Sequence, residues 1–321
     1  ALISYPEYDP NVLSKGTPGD VISGYANDSR QPYLDRAISG LYTPGSIVKP
    51  METAGALTDG IISPEKSIYS AGFISIPNPY DPSRPSIFKD WKAHGWVDAR
   101  RAIAVSSDVY YYAIGGGYGD QRGLGIERIN HWFRAFGFTS PTGIELANEA
   151  YGTVPTPVWK KERFGEDWRL GDTYNTSIGQ YGMQVTVLGA ARATAAVANG
   201  GLLVRPTILA GQQPQSQRME ISADALRVAR EGMRMGVTEG GTAVGLAPLP
   251  GRIAAKTGTA QLGINNEYYN MWAVGFWPYE RPKYVFVVLM DRGPAGTTVG
   301  AVYVANRALS ELSQTAPEYF K

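Results

Sequence analysis

The placement of strand-like runs constrains this chain more than any other feature. Three of them close the sequence, at residues 253–261, 271–277 and 284–290, separated by Asn/Gly- and Pro-containing turns. Two shorter runs stand near the start, at 21–25 and 37–42, around the polar turn Asn27-Asp28-Ser29. The periodic segments between these ends have helical spacing. Strands at both ends with helices between them predict an α/β fold. In it, an antiparallel sheet drawn from the N- and C-terminal segments is sandwiched by helices, with a mainly helical lobe beside it. The expected boundaries put 1–60 and 240–321 in the α/β lobe and about 61–239 in the helical lobe.

Start and stop signals give the helices. One is expected from about 46 to 57. Asp98 caps a helix over 99–105, and 109–114 continues it until Gly115-Gly116-Gly117 stops it. Ile126, Ile129 and Phe136 recur at helical spacing, and Gly137 ends that segment. His131 is read there as a core histidine on an apolar stripe. Thr186 caps an Ala-rich helix over 187–198, Ser222 or Asp224 opens another through 236, and 302–312 closes the chain. Residues 60–97 and 138–178 are Pro-, Gly- and aromatic-rich and read as irregular loop, the former with short strands.

Composition removes several function classes. Thirty Lys and Arg against 29 Asp and Glu leave a net charge of +1, so nothing points to nucleic acid or an anionic membrane surface. The longest late apolar stretch, 284–290, is far too short to span a bilayer. With no cysteine, disulfides, thiolate catalysis and Cys-based zinc sites are excluded. His94 and His131 are the only histidines, so a serine–histidine triad would have to use one of them. No G-x-G-x-x-G or P-loop spacing is present.

Three motifs carry chemistry. Thr43-Pro44-Gly45-Ser46-Ile47-Val48-Lys49 offers a serine nucleophile with a lysine three residues on, within reach of the hydroxyl. Pro50 is tolerable only in a first helical turn, so the helix starts close to Ser46 and its N–H groups face that hydroxyl. Ser63-Pro64-Glu65-Lys66 and Ser86-Ile87-Phe88-Lys89 share the spacing, and a capping serine beside a solvated lysine is the plainer explanation of any one match. Ser106-Ser107-Asp108 falls at the junction of two helical runs, where a serine faces a cleft or simply caps the restarting helix. Lys256-Thr257-Gly258-Thr259 occurs once, on the strand 253–261. Its lysine and hydroxyls suit a carboxylate, and Gly258 marks a bulge or a close backbone approach by a ligand. An exposed edge there can accept a peptide as an added strand, or its lysine can simply guard the edge against aggregation.

The order S-x-x-K, S-x-D, K-T-G, at gaps of 60 and 150 residues, is far more specific than its parts. It resembles the motif set of penicillin-binding proteins and serine β-lactamases. Tyr8-Asp9-Pro10-Asn11, Gly95-Trp96-Val97-Asp98, Pro141-Thr142-Gly143-Ile144-Glu145-Leu146, Gly171-Asp172-Thr173, Ser177-Ile178-Gly179-Gln180 and Ala198-Asn199-Gly200-Gly201 extend the likeness. Essentially the whole chain resembles the transpeptidase domain of class B penicillin-binding proteins, closest to the elongation-type subgroup, penicillin-binding protein 2. Asp108 stands where most of the wider family has Asn, and elongation-type members often carry Asp.

The resemblance implies a penicillin-binding protein/serine β-lactamase-like fold and a D-alanyl-D-alanine transpeptidase that cross-links peptidoglycan stem peptides and is acylated by β-lactams. Ser46 would attack the penultimate D-Ala carbonyl. Lys49, kept neutral by burial and by a positive Lys256, would take its proton. Ser106 would relay a proton to the leaving amine, backbone N–H groups of Ser46 and Thr259 would hold the oxyanion, and Lys256, Thr257, Gly258 and Thr259 would bind the substrate, with Asp108 orienting the site. No cofactor and no metal are expected, although some relatives hold a metal near the position of His94, which could pair with Asp90. The resemblance further implies an N-terminal anchor and pedestal outside this chain, a place on the outer face of the bacterial cytoplasmic membrane, and a membrane glycosyltransferase partner of the shape, elongation and division family. Two alternatives stand beside it. One is a serine β-lactamase, for which Glu145 is the nearest deacylating carboxylate although it lacks the E-x-x-L-N pattern. The other is a non-catalytic β-lactam sensor.

Overall fold

Two short helices, α1 (Pro10–Lys15) and α2 (Gly19–Asn27), open the chain in a computed structural model that describes residues 1–321 apart from Gly16, Thr17, Pro18, Pro79 and Thr298. A strand was expected at 21–25. Val21, Ile22 and Tyr25 fit a helical spacing as well as an alternating one, and a five-residue run cannot separate the two. Residues 37–42 are not a strand either: only Tyr42 bridges, to Val185. The sheet therefore takes no strand from the described N-terminal residues. Instead, the early segment leads into a 3-10 turn, Gly45–Val48, and directly into α3 (Lys49–Thr58), with Pro50 in the first helical turn. Helix α3 is buried from Lys49 to Ala56 and forms the centre around which the other helices gather.

Between 60 and 97 lie four short strands, β1 (Ile68–Ser70), β2 (Phe73–Ile76), β3 (Ser86–Lys89) and β4 (Gly95–Val97), with β1 pairing β4 and β2 pairing β3, both antiparallel. Asp98 caps α4 (Ala99–Val105) by accepting from Arg101 N at 2.8 Å, and Ser107 caps α5 (Asp108–Gly116). In α6 (Gly125–Ala135) the buried face is Ile129, Asn130, Trp132 and Phe133, whereas His131 is exposed, so it is no core histidine. The stretch read as loop at 138–178 contains α7 (Pro157–Phe164) and α8 (Leu170–Ser177). Helix α7 is too short and too charged to show an apolar period; its signals are the Thr156 cap, Pro157 at the start and the left-handed Gly165 at the end. Helix α8 is made of weak helix formers and is held from outside: Asp172 accepts from Arg169 N at 2.7 Å and pairs with Lys160 Nζ at 2.6 Å.

Helix α9 (Val187–Ala198) follows its Thr186 cap, then the hairpin of β5 (Leu202–Arg205) and β6 (Gln215–Arg218), then α10 (Ala223–Thr238). The three late runs form one antiparallel sheet in the order β7 (Ala254–Leu262), β8 (Tyr268–Trp277), β9 (Tyr284–Pro294), and α11 (Ala301–Thr315) ends the fold. Alternation along β8 explains the sandwich. Trp272, Val274 and Phe276 point into the main core, which includes alanines of α9, while Met271, Ala273 and Trp277 meet Ala301, Ala305 and Leu309 of α11. Small side chains on both helices permit close approach to the sheet. Helices α9 and α10, grouped by sequence with the helical lobe 61–239, lie against β8, β9 and β7, so the sheet draws its cover from the middle of the chain.

Candidate active site

A cleft of about 960 Å³ runs along the free edge of β7, and Ser46, Ser106, Asp108, Thr257, Gly258 and Thr259 all line it. Sequence positions up to 213 residues apart thus meet at one mouth. Ser63 is exposed and Ser86 lies on β3; neither lines this cleft.

The turn that carries Ser46 is seated by glycine. Gly45 has φ +55°, and a Cβ there would stand 2.8 Å from Thr259 O; a Cβ on Gly258 would stand 2.7 Å from Pro44 O and 2.8 Å from Ile47 Cγ2. Gly258 pairs in regular register with Trp272, so it is not a bulge, and the backbone approaching it is that of the Ser46 turn. Gly45 N donates to Gly179 O (3.0 Å), and Trp272 Nε1 donates to Thr43 O (3.0 Å), fixing the turn from two further sides.

Ser106 ends α4 in the left-handed region, at φ 60° and ψ 40°, an arrangement that costs a non-glycine residue about 1–3 kcal/mol. The break is pinned from below by buried Asp90, which accepts from Ser107 Oγ at 2.9 Å and Val109 N at 3.1 Å. The result aims Ser106 Oγ at both lysines. Lys256 Nζ donates to it at 2.8 Å and Lys49 Nζ at 3.3 Å, and both lysines are buried, at 1% and 0% exposure. Lys49 also donates to Ser106 O (2.9 Å) and to Asp108 Oδ1 (2.5 Å), which commits its three protons. Among the described residues it makes no hydrogen bond to Ser46 Oγ. Lys256 also donates to Thr257 O (2.7 Å), and Thr257 Oγ1 donates to Thr242 Oγ1 (2.6 Å).

Burial, and secondarily repulsion from Lys49, pushes Lys256 well below the ordinary lysine range; Asp108 pulls weakly the other way. Asp108 itself is raised, by desolvation first and by Asp90, against the attraction of Lys49. Burial thus disfavours the positive Lys256 that the resemblance implies. Lys256 is the depressed lysine, and Lys49 is the one that holds a carboxylate partner.

Asp90, Thr242, Trp272 and Gly179 were not singled out as site residues in the sequence. Asp90 entered only as a metal partner for His94. Its Oδ1 lies 3.5 Å from His94 Nε2, but the carboxylate is engaged by Ser107 and the Val109 amide. Burial lowers His94 below its usual value, which favours a neutral ring. Among the described residues no group of three or more His, Cys, Asp or Glu could hold a metal ion.

Residues 1–310 match the family model of the penicillin binding protein transpeptidase domain. The chain belongs to that family. It is 31% identical to the peptidoglycan D,D-transpeptidase MrdA of Haemophilus influenzae, over 100% of this chain and 52% of the relative, and 31% identical to MrdA of Escherichia coli K12 over 94% and 50%. The chain thus spans about half the length of the curated relatives it matches. Among solved structures, the complex of penicillin-binding protein PBP2 and MreC from Helicobacter pylori superposes with a TM-score of 0.84 at 31% identity, covering 98% of this chain and 57% of that one. Penicillin-binding protein A of Mycobacterium tuberculosis, solved as a ceftriaxone acyl-enzyme complex, gives 0.79 at 26% identity, covering 97% and 70%.

Proposed function

We propose that this chain is the acyl-transfer domain of a peptidoglycan D,D-transpeptidase, with Ser46 as nucleophile and an acyl-serine intermediate that β-lactams also form. The observation that carries the reading is one hydroxyl, Ser106 Oγ, bonded by two buried lysines beside a serine that lines the edge of β7. Neutral Lys256 takes the Ser106 proton while Ser106 Oγ takes one from Lys49. Lys49, now neutral, accepts the Ser46 proton as Oγ attacks the D-Ala carbonyl. The same chain of groups, run backwards, protonates the leaving amine. Backbone N–H groups of Ser46 and Thr259 hold the oxyanion, each such donor contributing about 3–4 kcal/mol. Lys256, Thr257, Gly258 and Thr259 meet the terminal carboxylate and an extended peptide added to β7. Asp108 orients Lys49.

The β-lactamase alternative needs a carboxylate that delivers water to the acyl-serine. Glu145 faces Arg205 at 3.5 Å and does not line the cleft, which favours a long-lived acyl-enzyme. Two walls frame the cleft in this proposal, residues 1–60 with 240–321 and the middle of the chain, with α9 and α10 reassigned to the sheet side. No described helix is long and apolar enough to cross a membrane. We place the reaction on the outer face of the cytoplasmic membrane, with a membrane glycosyltransferase of the shape, elongation and division family as partner; the Helicobacter pylori relative is solved with MreC.

A fluorescent penicillin tests the assignment. Ser46→Ala abolishes labelling, whereas Ser63→Ala and Ser86→Ala retain it; labelling that survives Ser46→Ala overturns the nucleophile. Intact mass after excess penicillin should rise by one drug mass and stay there for many minutes. Rapid return to the free mass, with drug hydrolysed catalytically, would establish the β-lactamase instead.

A further inference from the structure

A second cleft, of about 1120 Å³, shares lining with the first. The two share a wall built from β3 and an aromatic cluster in which Phe88 lies 5.9 Å from Tyr112 and 5.0 Å from Tyr174, ring centre to ring centre. Asn175 lines both. Among the described residues the Asn175 side-chain amide has no hydrogen-bond partner, so it is free to bond whatever passes between them.

The second cleft is cationic in a chain whose net charge is only +1. Arg122 and Arg169 stand exposed at its walls. Arg169 stacks over the Tyr80 ring at 5.2 Å and has one weak carboxylate contact, Glu166 at 3.4 Å; Arg122 has no ion pair among the described residues. Among the described residues the one carboxylate in the lining, Asp172, is consumed by Lys160 and by the Arg169 amide. Guanidinium groups presented this way suit carboxylates, and the flanking aromatic faces suit an extended chain.

Acyl transfer has two substrates. The donor occupies the edge of β7, and the amine that resolves the acyl-serine must come from elsewhere. Resting on the transpeptidase reading, we propose that the second cleft is the acceptor site. It would hold the carboxylates of a second stem peptide at Arg122 and Arg169 and lead its amine past Asn175 to the acylated Ser46. There the amine nitrogen bonds the acyl carbon, the ester bond to Ser46 Oγ breaks, and the proton shed by the amine returns to Oγ through Lys49.

The test separates the donor and acceptor steps. Wild type, Arg122→Glu and the Arg122→Glu/Arg169→Glu double variant are compared for penicillin acylation and for transfer from a thioester donor to D-alanine and to a stem tetrapeptide with a free side-chain amine. Penicillin acylation and transfer to D-alanine should stay within about twofold, while transfer to the tetrapeptide falls at least tenfold through the acceptor KM. Binding of labelled tetrapeptide to Ser46→Ala protein, followed by anisotropy, should weaken at least tenfold with Arg122→Glu. Unchanged tetrapeptide binding, or an equal loss in all three reactions, overturns the acceptor site. Wild type that is acylated yet transfers to neither amine overturns the transferase reading, and the binding measurement still decides the cleft.

Discussion

Glu52 lies one helical turn beyond Lys49 with no exposed surface, and neither carboxyl oxygen has a hydrogen-bond partner among the described residues. The nearby Ser177 hydroxyl donates instead to Tyr111 O at 2.7 Å. Burial therefore raises the Glu52 carboxyl well above its ordinary value, with Ser177 and Lys49 pulling the other way without offsetting it. A carboxyl raised on folding binds its proton more tightly in the native state, so its contribution is full at low pH and is lost as pH rises. Glu52→Gln removes the titration while keeping the shape. Wild type should lose stability relative to Glu52→Gln above pH ~4.5, by up to about 1.4 kcal/mol per pH unit, until the native carboxyl itself ionises. Urea unfolding of both proteins from pH 4 to 8 checks this, and parallel curves would mean the carboxyl is charged or solvated in the native state. At this scale Ser46, Lys49, Ser106 and Lys256 are legible as candidates because each sits in a short motif whose spacing has a chemical reason. Asp90 and Thr242 are not: one works from beneath the Ser107 cap and the other through a single hydroxyl, and neither has a local pattern.

Elements set the distances that those residues need. The turn before α3 and the strand β7 touch backbone to backbone at Gly45 and Gly258, leaving no room for a methyl group on either side. Gly258→Ala should push the turn from the strand by several tenths of an ångström. That disturbs the register between Ser46 and the Lys256–Ser106 couple, where small misplacements are expensive in rate. The penicillin acylation rate should fall at least tenfold while circular dichroism stays native and unfolding shifts by only about 1–3 kcal/mol, the usual range for overpacking. Acylation at the wild-type rate would show that the contact is dispensable. The glycine in Lys256-Thr257-Gly258-Thr259 was legible as a close-approach position, but what approaches it was not, because the partner is 211 or more residues away. Helices with a polar cap and an apolar face, α4, α9 and α10, were legible to within a few residues. Helices α7 and α8 escaped because a cap, a proline and a buried Lys160–Asp172 pair hold them without periodicity, and α2 was misread because a five-residue apolar run fits two periods.

The whole molecule is a device for joining distant segments: residues 43–49, 90, 106–108, 242 and 256–259 converge, and two different elements, α3 and β7, supply the lysines bonded to Ser106 Oγ. The sandwich is legible from the three late strand runs, whereas the two early runs expected to join its sheet do not. That its sheet is covered by α9 and α10 from the middle of the chain is not legible, since sequence gives the apolar face but not its partner. Such a site binds its own strain. Two buried lysines, a left-handed serine and a crowded turn each raise the free energy of the native state, and an acyl group that places an anion against Lys256 and fills the cleft offsets part of that. A ligand held only by the folded form raises its stability, and a covalent one cannot leave. Wild type treated with penicillin should therefore melt a few degrees higher than untreated protein, at roughly 1.5 °C per kcal/mol for a chain of 321 residues. Ser46→Ala, which keeps the lysines and the cleft but cannot form the ester, should not shift at the same drug concentration. Scanning calorimetry of the four samples decides it, and an equal shift in both proteins would mean that the drug stabilises the fold from somewhere other than the acylated serine.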